Sequence, residues 1–360
     1  MTFKPLNEND VVNTRTLLHE AIPLTGAIVS GTYGGNNYKT YSHGMFVSVY
    51  DYPYLSSSAN HIFDFTTGLS SDSLLYAGAT QASKKRNVYN QMAQILMGYD
   101  ATGSIQKFDE DGDLLAVGEK MKEVFVLPFS RLLVKDEIKK ETFQFQLDVG
   151  AFNGTAQPFT NLVTISDVSA SNEYRVNSPA GEYGILYATS SVPGVLNPAS
   201  THKTVIGTNT YWYAGLIFYQ AGIAVLTGSI FGGLLAAPPD MEGINNDTID
   251  TFLKEYTVDE ISEGFFHRLA NIQFNNTTEL NSTVYFCRVN HNEFNYSSNP
   301  TYLENSRIRV KTQATDDPVA YITTVGLYND NNELLAVAKL SEALKKTSST
   351  EFTIRARLDY

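Results

Sequence analysis

The chain has 360 residues, with 38 acidic side chains against 26 basic ones and a net charge of −12. That balance excludes a general nucleic-acid binder, which needs basic surface to displace counterions. A single cysteine, Cys287, excludes an intrachain disulfide and a cysteine-based zinc centre.

The 22 tyrosines and 20 phenylalanines, together with frequent Asn, Thr and Ser, describe a strand-rich chain with many turns. The expected fold class is α+β and predominantly β: antiparallel, sandwich-like sheets, a few short helices and a C-terminal hairpin and strand module. The first residues, Met1-Thr2-Phe3-Lys4-Pro5-Leu6, lack the apolar core of a signal peptide.

Residues 9–21 predict a short helix capped by Asn9 or Asp10 and stopped by Pro23. Residues 26–54 predict strands with a Gly-rich turn at Gly34-Gly35-Asn36-Asn37, and Phe46-Val47-Ser48-Val49-Tyr50 alternates as a half-buried strand must. Residues 80–97 carry the strongest helical period, with Val88, Met92, Ile95 and Leu96 on one stripe and Lys84, Lys85 and Arg86 outside it. Residues 153–200, rich in Ser, Asn, Pro and Gly, predict loops and short strands.

Residues 211–237 carry no charge, a length that would permit a membrane span. The glycines within the run favour two buried strands, 211–219 and 223–231, broken at Gln220-Ala221-Gly222. Two short helices follow, at 247–256 and 258–270.

The last sixty residues alternate apolar and polar side chains in three runs: one from Ser306 to Lys311, one from Gly326 to Val337, and one from Phe352 to Tyr360. Asn329-Asp330-Asn331-Asn332 reads as a hairpin turn, because Asn and Asp tolerate the positive φ of tight turns. The terminal run is expected to be held in a sheet.

Phe108–Val117 lines up with Tyr328–Val337, both ending Leu-Leu-Ala-Val, and Phe129–Asp148 lines up with Leu340–Asp359. Two readings stay open: unrelated hairpins sharing turn chemistry, or a duplicated unit with residues of about 150–300 inserted. The expected organisation has three parts. Residues 1–150 form an N-terminal α+β domain ending in a strand–turn–strand unit. Residues 151–300 form a β-rich insert, and residues 301–360 a β module resembling 108–148.

No catalytic signature is present. None of the six histidines has the close pairing of a metal site. His43, Asp51, His61 and Asp64 lie near one another in sequence, yet the Tyr, Ser and Gly around them read as strand and turn. Asp109-Glu110-Asp111-Gly112-Asp113 is similar to a calcium loop, but its glycine is fourth rather than sixth and Lys120 stands at the twelfth position. The reading is an Asp-Gly turn with no metal, no cofactor and no catalytic residue.

Residues 301–360 carry eight basic and eight acidic side chains, so the whole net charge lies in the first 300. Arg307, Arg309 and Lys311 fall on one strand face and Arg355 and Arg357 on another. Either these are solvated faces that discourage edge pairing, or basic ladders set against an acidic neighbour.

Three stretches resemble virion structural proteins of contractile-tailed phages, particularly large T4-like marine phages and cyanophages. They are Tyr50-Asp51-Tyr52-Pro53-Tyr54-Leu55-Ser56-Ser57-Ser58-Ala59-Asn60-His61-Ile62-Phe63-Asp64; Tyr219–Leu226 followed by His291–Tyr302; and Val325–Asp330 with Leu335–Leu340. The resemblance implies a non-enzymatic tail component, a baseplate wedge or adjacent adaptor. It implies assembly in the bacterial host cytoplasm, with other tail and baseplate proteins and about six copies around the tail axis as partners.

No nucleic acid and no membrane span are expected. The expected interface residues are Tyr50, Tyr52, His61, Phe294, Tyr296, Tyr302, Arg307, Arg309, Arg355, Arg357 and Tyr360. The segment Glu293–Tyr302, kept from helix by Pro300, reads as an extended connector whose aromatics and amides suit contacts. A receptor- or glycan-binding tail module is the alternative, with a hydrolase built on His43 and His61 behind it.

Overall fold

The structure is a computed structural model that describes residues 4–23, 37–114, 120–148, 162–191, 196, 202–230, 249–266, 268–295, 303–304, 307–308 and 319–360. It is mostly β, 50% strand and 16% helix, with antiparallel sheets and short helices as its composition implies. Two compact units are present, Met1–Leu18 with Glu279–Tyr360, and His19–Thr278.

After a 3-10 turn at Glu8–Asp10 the chain enters β1 (Val11–Pro23). The helix expected over 9–21 is thus a strand. Val11, Val12, Thr14 and Thr16 are stiff, β-branched residues that favour extended backbone, and β1 is hydrogen-bonded to the long strand Leu269–Val289. Strand pairing overrides a cap-like start.

The larger unit contains β2 (Tyr38–Lys39), β3 (Val47–Tyr50), β4 (His61–Leu69), β5 (Glu123–Pro128), β6 (Glu137–Ile138) and β7 (Gln144–Asp148). It continues with β8 (Leu162–Ser166), β9 (Arg175–Ser178), β10 (Gly181–Ser190), β11 (Lys203–Ile206), β12 (Asn209–Phe218), β13 (Ile223–Thr227) and the first half of β14 (Leu269–Val289). Its helices are α1 (Ala82–Leu96), α2 (Arg131–Val134), α3 (Ala170–Glu173), α4 (Ile249–Glu255) and α5 (Val258–Phe266).

The strands run β14-β7-β8-β10-β12-β13-β5-β4-β3-β2, each antiparallel to the next. The boundary expected at residue 150 is therefore not a structural one. Strands β8, β10, β12 and β13, from beyond residue 150, lie between β7 and β5, from before it.

Strand β5 is buried on both faces. Phe125 and Leu127 point into one core with Phe65, Phe252, Phe265 and Phe266, while Val124 and Val126 point into another with Tyr89, Leu96 and Phe218. Helices α4 and α5 cover the first face and α1 the second.

The sheet also curls. Phe265 of α5 touches Phe65 of β4 (ring centroids 4.4 Å apart) and Phe145 of β7 (5.8 Å). Six inter-strand steps separate β4 from β7, about 29 Å if the sheet were flat. Only a sheet wrapped around α5 brings both rings to one phenylalanine.

Helix α1 forms where expected, but its buried stripe is Lys85, Val88, Tyr89, Ala93 and Leu96, with Ile95 61% exposed. Lys85, expected outside, is fully buried. Gly68 of β4 explains how closely the helix sits, since a Cβ there would lie 3.0 Å from the Tyr89 backbone.

The uncharged run forms β12 and β13 around a turn at Tyr219–Gly222, as expected, but β13 stops at Thr227 and Gly228–Ile230 is a 3-10 turn rather than strand; residues 231–237 lie outside the described residues. Among the described residues no helix is long and apolar enough to cross a membrane. Thr257 and Glu260 cap α5 reciprocally: Thr257 N–H donates to Glu260 Oε2 (2.7 Å), and Glu260 N–H to Thr257 Oγ1 (3.3 Å).

In the smaller unit the second half of β14 pairs with β19 (Phe352–Asp359) from Ser282↔Asp359 to Val289↔Phe352. Asn281 and Tyr360 exchange both backbone hydrogen bonds, so the terminal run is held in a sheet. Short strands β15 (Leu303–Glu304) and β16 (Arg307–Ile308) pair, and β17 (Ala320–Tyr328) with β18 (Leu334–Lys346) forms a separate hairpin.

The internal echo carries different structure in its two copies. Where Leu340–Lys346 is strand, the aligned Phe129–Lys135 contains α2. Both copies end in a strand, β7 and β19, that pairs antiparallel with β14.

Candidate assembly surface and acidic loop

The hairpin β17–β18 is a two-stranded ribbon whose outer edges pair with no other described strand. Its turn closes with Asn329 N–H donating to Glu333 O (3.0 Å) and Glu333 N–H to Asn329 Oδ1 (2.8 Å), the role expected of the amide cluster. Leu334, Leu335, Val337, Tyr321, Tyr328 and Leu344 are exposed, Leu335 by 67%.

Register places Tyr328 opposite Leu334 and Gly326 opposite Val337, so Tyr328, Leu334 and Val337 share one outward face. The base of the ribbon is anchored instead. Lys346 is fully buried, and its Nζ donates to His291 O (3.0 Å), Asn295 Oδ1 (2.7 Å) and Thr347 O (2.6 Å). A two-stranded ribbon is marginal alone, and unpaired edges with exposed apolar side chains are a template for another chain.

The interface residues expected from sequence are scattered. Tyr360 is 74% exposed, and Arg355 and Arg357 share the exposed face of β19. Arg357 is already engaged, its Nε 2.6 Å from Asp359 Oδ1 and its guanidinium donating to Ser282 Oγ (2.9 Å). Phe294 is exposed at a left-handed φ of 52°. Tyr296, Tyr302, Arg309 and Lys311 lie outside the described residues, and Arg307 is described by its backbone pairing with Glu304.

Tyr52 is exposed, whereas Tyr50 is half-buried and packs its ring against Tyr54 and His61. His61 Nε2 is 2.8 Å from Asp64 Oδ1, and Ser48 Oγ donates to the same oxygen (2.5 Å). The serine is therefore bonded to the carboxylate rather than to the imidazole, which is not the order nucleophile activation requires. His43 stacks on Tyr41 and accepts from Met45 N–H (3.0 Å), while Asp51 is engaged with Asn60. Trp212 packs, partly buried, against the main core.

In the larger unit the acidic loop 109–113 is tied down on one side by Glu110. This buried carboxylate lies 2.7 Å from His202 Nδ1, and its other oxygen accepts from Ser229 Oγ (2.5 Å) and Thr227 Oγ1 (3.4 Å). Asp109, Asp111 and Asp113 alternate with it, and their carboxylate oxygens come within 4.8 Å of one another. Gly112 holds a left-handed φ of 68°, a conformation cheap for glycine alone. Lys120 forms an ion pair with Asp109, and the two residues are also a backbone bridge.

Burial and the contact with Asp111 push Asp109 up to about 6, against the pull of Lys120. Burial raises Asp111 too, but the hydrogen bond from Asp109 and the Asp113 N–H hold it below the usual carboxylate range. Beside the loop, Tyr183 of β10 is fully buried, with the Asn177 side chain beside its hydroxyl. Burial pushes that phenol up to about 12, with the charge of Asp109 adding to the shift. The charge of Arg175 and the Asn177 side chain oppose it.

Sequence reasoning found the acidic run but not the Glu110–His202 pair, whose partners are 92 residues apart. No local pattern encodes that pairing. Comparison with protein families, with curated proteins and with solved structures finds no match to this chain.

Proposed function

We propose that the chain is a non-enzymatic structural subunit of a contractile phage tail, a baseplate wedge or adjacent adaptor, acting through protein–protein contacts in the virion. The observation that carries this reading is the β17–β18 ribbon, anchored at its base by Lys346 and offering edges that no other described strand pairs, with exposed Leu334, Leu335 and Val337, to a neighbour. A free subunit tolerates such a surface poorly; an assembled one covers it. The resemblance of the Tyr50–Asp64, Tyr219–Leu226 with His291–Tyr302, and Val325–Asp330 with Leu335–Leu340 stretches to tail proteins supplies the partner class: other tail and baseplate proteins and further copies of the chain.

The test replaces residues 321–345 by a short Gly-Ser linker in a phage that encodes the protein. Wild-type chain enters purified particles; the variant is excluded from them while the circular dichroism and hydrogen-exchange protection of His19–Thr278 stay unchanged. Variant protein present in particles at wild-type copy number sinks the reading.

A further inference from the structure

We propose that the outer face of the β14–β19 pair docks on the acidic helices α4 and α5 of a second copy of the chain. Alternation and register put Arg288 and Phe286 of β14 on one face with Thr353, Arg355 and Arg357 of β19. The opposite face carries Val289, Ile354 and Ala356, all buried.

On the outer face Arg288 is 56% exposed, Arg357 is 50% exposed, and Arg355 is exposed as well. Half-buried Phe286 lies directly across from Arg355. Asp10 is 2.6 Å from Arg288 and Asp359 is 2.6 Å from Arg357. Arg355 forms no hydrogen bond or ion pair among the described residues. Arginines set around an aromatic ring are the composition in which contact surfaces are enriched.

Charge points to the occupant. The unit His19–Thr278 holds 15 basic and 26 acidic side chains, and the other unit 11 and 12. Within it, Ile249–Phe266 carries Asp250, Glu255, Asp259, Glu260 and Glu263 against a single cation, Lys254. Phe252, Leu253, Ile261 and Phe265 turn α4 and α5 onto the core, which leaves Asp250, Glu255 and Glu260 exposed on the outer side. None of the five carboxylates forms an ion pair among the described residues. Surfaces of opposite sign steer and orient association. The arginine face and the acidic helices are different surfaces, so each copy can contact two neighbours, as assembly into a ring requires. The β17–β18 ribbon takes no part in this contact.

Sedimentation velocity of the full chain over a concentration series tests the contact. Self-association is expected at low ionic strength and is lost near 1 M salt, where the screening length falls to about 3 Å. Arg355→Glu, and Asp250→Lys together with Glu255→Lys, should each weaken it about tenfold or more. All three positions are exposed, so the variants keep the fold. A chain carrying both sets should associate more tightly than either variant, because unlike charges face each other again. Any of four results overturns the proposal: a monomer at every concentration, association that salt leaves unchanged, indifference to either set, or losses that simply add in the combined chain. The readout is self-association in solution and not entry into particles, so this contact and the ribbon can each fail alone.

Discussion

Lys85 offers a sharp test of the helix packing. Its side chain is fully buried between α1 and the C-terminal end of α4, and Nζ donates to Leu253 O (2.7 Å) and Tyr256 O (2.6 Å). Burial lowers its pKa from 10.5 to about 8, with Glu260 opposing the shift. Lys85→Met keeps the apolar stem but leaves both carbonyls without a donor, at about 1–3 kcal/mol each. It also removes the cost of burying the charge, about 3 kcal/mol for a shift of this size. At neutral pH the two effects partly cancel, and the variant should lie within about 3 kcal/mol of wild type.

The pH dependence separates the two effects. Below the folded pKa of about 8, lysine is charged in both folded and unfolded chains, and the fold bears the whole burial cost. Between about 8 and 10.5 the unfolded chain holds more protons, so wild-type stability rises with pH. A neutral amine keeps two N–H groups and still serves both carbonyls. Wild type should therefore gain up to about 3 kcal/mol on Lys85→Met between neutral pH and about pH 10. Urea unfolding of both proteins across that range measures the gap, and a gap that does not change with pH refutes the buried cation.

The remaining predictions are structural. Phe265→Ala removes the ring that Phe65, Phe125 and Phe145 share and should cost about 3–5 kcal/mol in chemical denaturation; a cost under about 1 would contradict the curled sheet. Gly68→Ala forces a Cβ to 3.0 Å from the Tyr89 backbone and should lower stability by about 1–3 kcal/mol, read as a drop in melting temperature. Lys346→Met strands the acceptors at His291, Asn295 and Thr347; amide exchange should speed up across 320–346 while amides of α1 and β5 keep their protection. Equal protection of the ribbon in both proteins would remove Lys346 as its anchor.

Patterns with a local cause could be read in advance. The turn at Tyr219–Gly222, the helices α1, α4 and α5, the amide turn of the β17–β18 ribbon and the strand character of the terminal run all follow from periodicity, caps and glycine placement within a dozen residues. Residues 9–21 misled because a cap-like Asn9-Asp10 is a weak preference, whereas pairing with β14 contributes a whole ladder of hydrogen bonds.

The interleaving of β8–β13 between β7 and β5, the burial of Lys85 and the Glu110–His202 pair have no local signature. Each joins residues tens to hundreds of positions apart, and the choice among such pairings belongs to the packed sheet as a whole. The candidate sites divide in the same way. Sequence alone determined that the chain is strand-rich, that an acidic turn lies at 109–113 and that the last sixty residues alternate apolar and polar side chains and balance their charge. Only tertiary structure decided that the three aspartates converge and that no described residue covers the Leu334–Val337 face, because convergence and exposure are set by which strands meet and not by which residues are adjacent.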